Sequence, residues 1–106
     1  MRTLKFIVDG QIVTKDPNCD FSDLVPGSSG YLKAEFVFSS DWDDCVKVAA
    51  FIAGMKEYPV VVKDGRYCYI PGDALVNSSF GVRVLGKNEK YSLTTNKLIV
   101  RQNGGK

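Results

Sequence analysis

The chain contains no histidine. Without imidazole it lacks the usual general base at neutral pH, the commonest metal ligand and any Ser-His or Cys-His nucleophile pair. This absence excludes most hydrolase mechanisms. We therefore expect no enzymatic activity, no catalytic residues, no cofactor and no bound metal.

Cysteine and long apolar runs are also scarce. Cys19, Cys45 and Cys68 are odd in number and widely spaced, a pattern that indicates neither a disulfide framework nor a zinc site. The first apolar stretch, 6–8, ends at Asp9-Gly10 and is too short for a signal-peptide core or a membrane span. We expect synthesis in the cytoplasm and no membrane partner.

An excess of charge of one sign is missing as well. The 14 basic and 12 acidic side chains leave a formal net charge of +2. Binding to a phosphate backbone usually requires a much more basic balance. Nucleic acid is therefore not an expected partner.

The residues that are present favour β-structure. Leu32, Ala34, Phe36 and Phe38 alternate with polar neighbours, as in a strand with one buried face. Similar short runs, separated by Gly, Pro, Asn and Asp turns, recur along the chain. We predict a single all-β domain over 1–102, a sandwich of about seven to eight antiparallel strands, followed by a flexible tail at 103–106.

One segment leaves two alternatives open. The stretch 46–53 has apolar residues at helical spacing, but Val48, Phe51 and Ile52 fall outside that stripe, so helix and strand fit equally well.

After Asp64-Gly65 a hairpin is predicted, with Val62 opposite Tyr67. A bulge near Thr95-Asn96 would keep the last strand in phase.

Three acidic residues cluster around a single tryptophan. Asp41, Asp43 and Asp44 could bind a hard cation or act as paired carboxylates, but their spacing matches no EF-hand loop. A solvated turn or helix cap is the simpler interpretation.

Exposed aromatic rings could bind a sugar or a protein surface. The candidates for such a partner or glycan surface are Tyr67, Tyr69, Tyr31 and Tyr58. Core or rim packing is the alternative interpretation of the same residues.

The order of several short motifs resembles the N-terminal immunoglobulin-like module of upper baseplate and tail-fibre proteins from phages of Gram-positive hosts. The motifs are Phe36-Val37-Phe38-Ser39 with Asp41-Trp42-Asp43, Val48-Ala49-Ala50-Phe51, Asp64-Gly65 with Cys68-Tyr69-Ile70-Pro71, Ala74-Leu75, Phe80 to Gly86, and Thr94-Thr95-Asn96. They span about two-thirds of the chain, and no heptad repeat or receptor-binding region follows Arg101.

The resemblance implies an immunoglobulin-like sandwich that acts as a non-enzymatic attachment module in a phage or prophage virion. It favours a strand at 46–53 and places Trp42 in the core and Pro71 at a corner. The implied partners are other virion proteins of the baseplate, tail fibre or head surface. A homo-oligomer stays open, and the alternative function is recognition of a host cell-wall glycan.

Overall fold

The β-rich segments of the sequence form three antiparallel hairpins and several longer connections in a computed structural model that describes residues 1–103. Within these residues there are nine strands and two short 3₁₀ turns, at Ser40–Trp42 and Gly72–Leu75. The strands are β1 Arg2–Asp9, β2 Ile12–Lys15, β3 Leu32–Phe38, β4 Val46–Ala53, β5 Lys56–Val61, β6 Tyr67–Tyr69, β7 Ser79–Lys87, β8 Ser92–Thr94 and β9 Leu98–Arg101.

The strands form two sheets. The first sheet has the order β2-β1-β3-β6, and the second has the order β5-β4-β7-β8, with β9 also beside β7. This confirms the predicted all-β sandwich. Of the expected tail, Asn103 donates a side-chain hydrogen bond to Asp23 at 3.0 Å, and 104–106 lie outside the described residues.

One strand pair departs from the expected antiparallel pattern. β1 and β3 are parallel, with Arg2 opposite Leu32 and Val8 opposite Phe38. The long connection between β2 and β3 carries the chain past β1, so β3 enters on the far side of β1 and in the same direction. Parallel neighbours need such a crossover because a short turn can only reverse the chain.

The core lies between the two sheets. Phe6 and Phe36 stack with ring centroids 5.4 Å apart, and Phe38 packs on Trp42 at 5.3 Å. The largest fully buried side chains come from both sheets and both 3₁₀ turns: Trp42, Phe6, Phe36, Phe51, Phe80, Leu4, Ile70, Leu75, Val8, Val13, Val82 and Val84. The alternation read in 32–38 therefore marks the buried face correctly.

The ambiguous segment is a strand, β4, as the resemblance implied. It is paired on both sides, with β5 and with β7. Ala49 and Phe51 face the core, while Ala50 and Ile52 are buried without belonging to it. Apolar residues on both faces are typical of a central strand, and they explain why the sequence pattern could not separate strand from helix.

The turn at Asp64-Gly65 forms, but it does not join two strands of one sheet. Both residues have positive φ, 53° and 64°, as a type I′ turn requires. Tyr67 lies opposite Lys63 in a single bridge, so the predicted pairing with Val62 is wrong. β5 pairs with β4 and β6 pairs with β3, so this turn connects the second sheet to the first.

The irregularity predicted near Thr95-Asn96 lies where expected, but it is a break between two strands and not a bulge within one. β8 and β9 both pair with β7, and the break falls between Thr94 and Leu98. Thr95 fills the break, since its hydroxyl accepts a hydrogen bond from the backbone N–H of Val84 at 3.0 Å.

Candidate docking surfaces

Three of the four candidate tyrosines lie at the first sheet, and the fourth does not. Tyr67 and Tyr69 are on β6, and the half-exposed Tyr31 directly precedes β3. Tyr58 is on β5 in the second sheet, where its partly buried ring packs against the core. The structure therefore separates Tyr58 from the surface that the other three could share.

Strand alternation places Tyr67 and Tyr69 on the outer face of the first sheet. Between them, Cys68 is fully buried in the core. Tyr69 lies opposite Lys33 and Tyr67 lies opposite Glu35. The outer face at this edge is thus a mixture of aromatic and charged side chains.

The geometry of the two rings limits stacking on a ligand. Their centroids are 6.1 Å apart and their planes are nearly perpendicular, at 87°. The ammonium group of Lys33 lies over the ring of Tyr67, 4.6 Å from its centroid. One face of Tyr67 is therefore occupied by a cation–π contact, and Tyr69, 41% exposed, is the more accessible ring.

The acidic residues around Trp42 do not converge on one depression. Asp43 and Asp44 line a surface concavity of about 550 Å³ together with the β7–β8 turn, whereas Asp41 lines a separate concavity beside Gly10. No group of three or more Cys, Asp or Glu side chains within 1–103 is placed to hold a metal ion. The arrangement is that of an exposed turn.

Trp42 is a core residue, as the resemblance implied. It is fully buried, and its indole Nε1–H donates a hydrogen bond to the carbonyl of Gly10 at 2.8 Å. The ring thereby ties the first 3₁₀ turn to the β1–β2 connection. Its role is packing, since no face of the ring is available to a ligand.

A further exposed surface, which contains none of the four candidate tyrosines, lies on the outer face of the second sheet. Val48 is flanked by Val61 on β5 and by Leu85 on β7. Val61 is 60% exposed and the nearby Val46 is 69% exposed, while Val48 and Leu85 are partly buried. We call Val46, Val48, Val61 and Leu85 the apolar patch.

The centre of this outer face is covered by the chain itself. Arg83 and Glu57 form a salt bridge of 2.6 Å, and their strand positions are opposite Ala50 and Ile52. Ala50 and Ile52 are 1% and 9% exposed. The apolar patch at one end of the face and Ile99 on β9, which is 44% exposed, are open to solvent.

One signal in the sequence could have located this patch. Val46, Val48, Ala50 and Ile52 are all apolar at alternate positions, opposite to the core-facing residues of the same strand. A strand with two apolar faces needs cover on both. Once 46–53 is taken as a strand, its outer face becomes a candidate contact surface.

Comparisons of the chain with protein-family models, curated proteins and solved structures give no match. Across residues 1–103, no helix has the length and apolar character to cross a membrane.

Proposed function

We propose that the chain is a non-enzymatic attachment module of a phage or prophage virion that docks through its apolar patch onto another virion protein. The observation that carries the docking role is the row formed by Val61, Val48 and Leu85, with Val46 beside it. The assignment to a virion comes from the motif order at 36–43, 64–71 and 80–86.

The energetics favour a covered patch. Scattered exposed apolar residues are common on protein surfaces, but contiguous ones usually mark contact sites. Full burial of one Val or Leu side chain is worth about 1.5–3 kcal/mol. Val46 and Val61 are more than half exposed, so a partner that covers them gains a substantial part of this free energy.

A sheet face suits docking because its side chains are held by the strand ladder. β4 lies between β5 and β7, so the backbone under the patch is paired on both sides. Binding then orders few groups, and a rigid surface loses little conformational entropy on association.

Recognition of a cell-wall glycan has less support. Sugar rings stack on open aromatic faces, and Lys33 covers one face of Tyr67. Tyr69 is the ring that such binding would have to use. A glycan array with the wild-type chain and Tyr69→Ala tests this alternative: binding that Tyr69→Ala abolishes would favour it over protein docking.

The virion role can be tested on purified particles of the phage or prophage whose genome encodes the chain. Mass spectrometry of density-gradient-purified particles should detect the chain in fixed stoichiometry with the tail, baseplate or head proteins. Its absence from intact particles would contradict the proposal.

The docking role can be tested by incorporation of variants into the same particles. We expect Val61→Lys to reduce incorporation at least about tenfold, since it places a charge in an apolar contact. Val37→Lys is a matched control, because Val37 is 63% exposed on the first sheet. Equal incorporation of both variants, each folded by circular dichroism, would contradict docking through the patch.

A further inference from the structure

Charge is unequally divided between the two halves of the sandwich. The segments that build the second sheet, 45–63 and 76–102, contain eight basic and two acidic side chains. The segments 1–44 and 64–75 contain five basic and ten acidic side chains. The small net charge of the chain therefore conceals segments that sum to +6 and segments that sum to −5, although Asp43 and Asp44 of the acidic segments lie beside the β7–β8 turn of the second sheet.

The basic excess extends to the outer face that carries the apolar patch. Lys87 is exposed opposite Val46, and the stem of Lys97 lies over Gly81 next to Ile52. Arg101 is exposed on β9, opposite Ser79.

Carboxylates do not balance these cations on this face. Glu57 is the acidic residue of the second-sheet strands, and it is paired with Arg83 at 2.6 Å. Arg83–Glu57 is the one salt bridge found in residues 1–103. Lys87 borders the apolar patch, whereas Lys97 and Arg101 lie farther along the same face, at Gly81 and opposite Ser79. Within residues 1–103 none of these three cations is in a salt bridge.

We propose that the occupant of the apolar patch is a protein surface that combines apolar side chains with carboxylates. This inference rests on the proposed docking function and adds the chemistry of the partner. Apolar side chains of the partner cover Val46, Val48 and Val61, and its carboxylates lie near Lys87, Lys97 and Arg101. Complementary charge of this kind speeds association and fixes orientation.

A second copy of the chain bound face to face does not meet this requirement. Such a dimer would bring two sets of Lys87, Lys97 and Arg101 toward each other across one interface. Like charges brought together in an interface disfavour association. The charge pattern therefore selects a different, acidic surface over self-pairing of this face.

The test uses the full chain as bait in a selection from a random peptide-display library at low salt. We expect the recovered peptides to combine apolar residues with Asp or Glu and to carry net negative charge. Recovery of neutral or basic peptides, or of no peptide that depends on Val61, would overturn the inference.

Variants then test the basic residues on one synthesised peptide from that selection. The double variant Lys87→Glu with Lys97→Glu should weaken binding at least about tenfold, and raising the salt from 0.05 to 0.5 M should weaken wild-type binding several-fold. The control, Lys5→Glu with Lys15→Glu, makes the same change of charge on the first sheet and should bind nearly as wild type. Equal loss in both double variants would contradict a local role for the second sheet.

Two further results separate this inference from the virion proposal. If purified particles lack the chain but acidic, apolar peptides bind the patch, the virion role fails and the partner chemistry stands. If particles contain the chain but the reversal of Lys87 and Lys97 leaves incorporation unchanged, the partner chemistry fails and the virion role stands. A wild-type dimer in sedimentation that Val61→Lys converts to monomer would overturn the choice of partner.

Discussion

The indole ring of Trp42 occupies the space that a side chain at Gly86 would need. A Cβ built at Gly86 would lie 2.6 Å from Cζ3 of Trp42 and 2.7 Å from its Cε3. Gly86 is in the middle of the β4–β7–β8 ladder, opposite Lys47 and Leu93. The tryptophan of the first 3₁₀ turn is thereby pressed against the second sheet, and this contact closes one end of the sandwich.

Gly86→Ala should destabilise the fold by about 1–3 kcal/mol, because the added methyl group forces a shift in a fully buried ring. Removing a strand glycine would otherwise stabilise by about 0.5–1 kcal/mol. The steric effect is larger, so the substitution should lower the free energy of unfolding. Urea denaturation followed by tryptophan fluorescence measures it.

Gly81→Ala serves as the control for this prediction. A Cβ at Gly81 would meet the stem of Lys97 at 3.0 Å, which can move into solvent, and the Cβ of Ile52 at 3.3 Å, which needs a shift of only a few tenths of an ångström. We expect a change under about 1 kcal/mol. A loss at Gly86 no larger than that at Gly81 would refute the tight Trp42 contact.

Asn96 links the two sheets at the edge next to β2. Its side-chain Oδ1 accepts a hydrogen bond from the backbone N–H of Val13 at 2.7 Å. Its backbone N–H donates a hydrogen bond to the backbone carbonyl of Gln11 at 3.1 Å. Asn96→Ala should cost about 0.5–1.5 kcal/mol and speed amide exchange at Val13. Asn96→Asp keeps the acceptor and should cost less, so an equal loss in the two variants would count against the hydrogen bond as the cause.

How far the sequence predicts this fold depends on whether the deciding interaction is local. The alternation at 32–38 depends on strand period and was predicted correctly. The same period located the irregularity near Thr95-Asn96, where a break between two strands replaces the predicted bulge. The direction of β1 relative to β3 depends on the path of the connection between β2 and β3. Nothing in the residues of either strand encodes that path.

The turn at Asp64-Gly65 shows more clearly how local and tertiary interactions differ. Asp64-Gly65 predicts a tight turn, and the turn forms. Whether the flanking segments pair with each other depends on competition from β4 and β3, which hold β5 and β6 through longer ladders. Which strands pair depends on tertiary contacts, so a local turn signal alone does not predict the pairing.

The candidate surfaces also differ in whether local sequence or strand order determines them. Alternation around the buried Cys68 predicts that Tyr67 and Tyr69 share a face, and they do. The apolar patch needs β5, β4 and β7 placed side by side, since Val61, Val48 and Leu85 are far apart in the chain. Without the sheet order, their contiguity could not be predicted.

Substitutions at two positions of β3, one on each face of the strand, test the assigned faces. Phe36 is 1% exposed, so Phe36→Ala should lower the free energy of unfolding by about 3–5 kcal/mol. Lys33→Ala removes the contact with the Tyr67 ring and should cost about 1 kcal/mol or less. Chemical denaturation of both variants measures the difference, and comparable losses would refute the assignment of inner and outer faces.

Cys68 should make stability depend on pH in the alkaline range. Burial in the core raises the pKa of its thiol from 9.0 to about 12. Below pH 9 the thiol is protonated in both the folded and the unfolded chain, so it adds no pH dependence. Above pH 9 the unfolded chain loses this proton while the folded chain keeps it, so stability falls as the pH rises towards 12.

The comparison of wild type with Cys68→Ala isolates this effect from other titrating groups. The stability advantage of the wild type over Cys68→Ala should shrink by about 1.4 kcal/mol between pH 8 and pH 10, because each pH unit between the two pKa values contributes at most about that amount. Urea denaturation of both proteins at pH 8, 9 and 10 measures the difference. An advantage that does not change with pH would show that the thiol of Cys68 is not held protonated by the core.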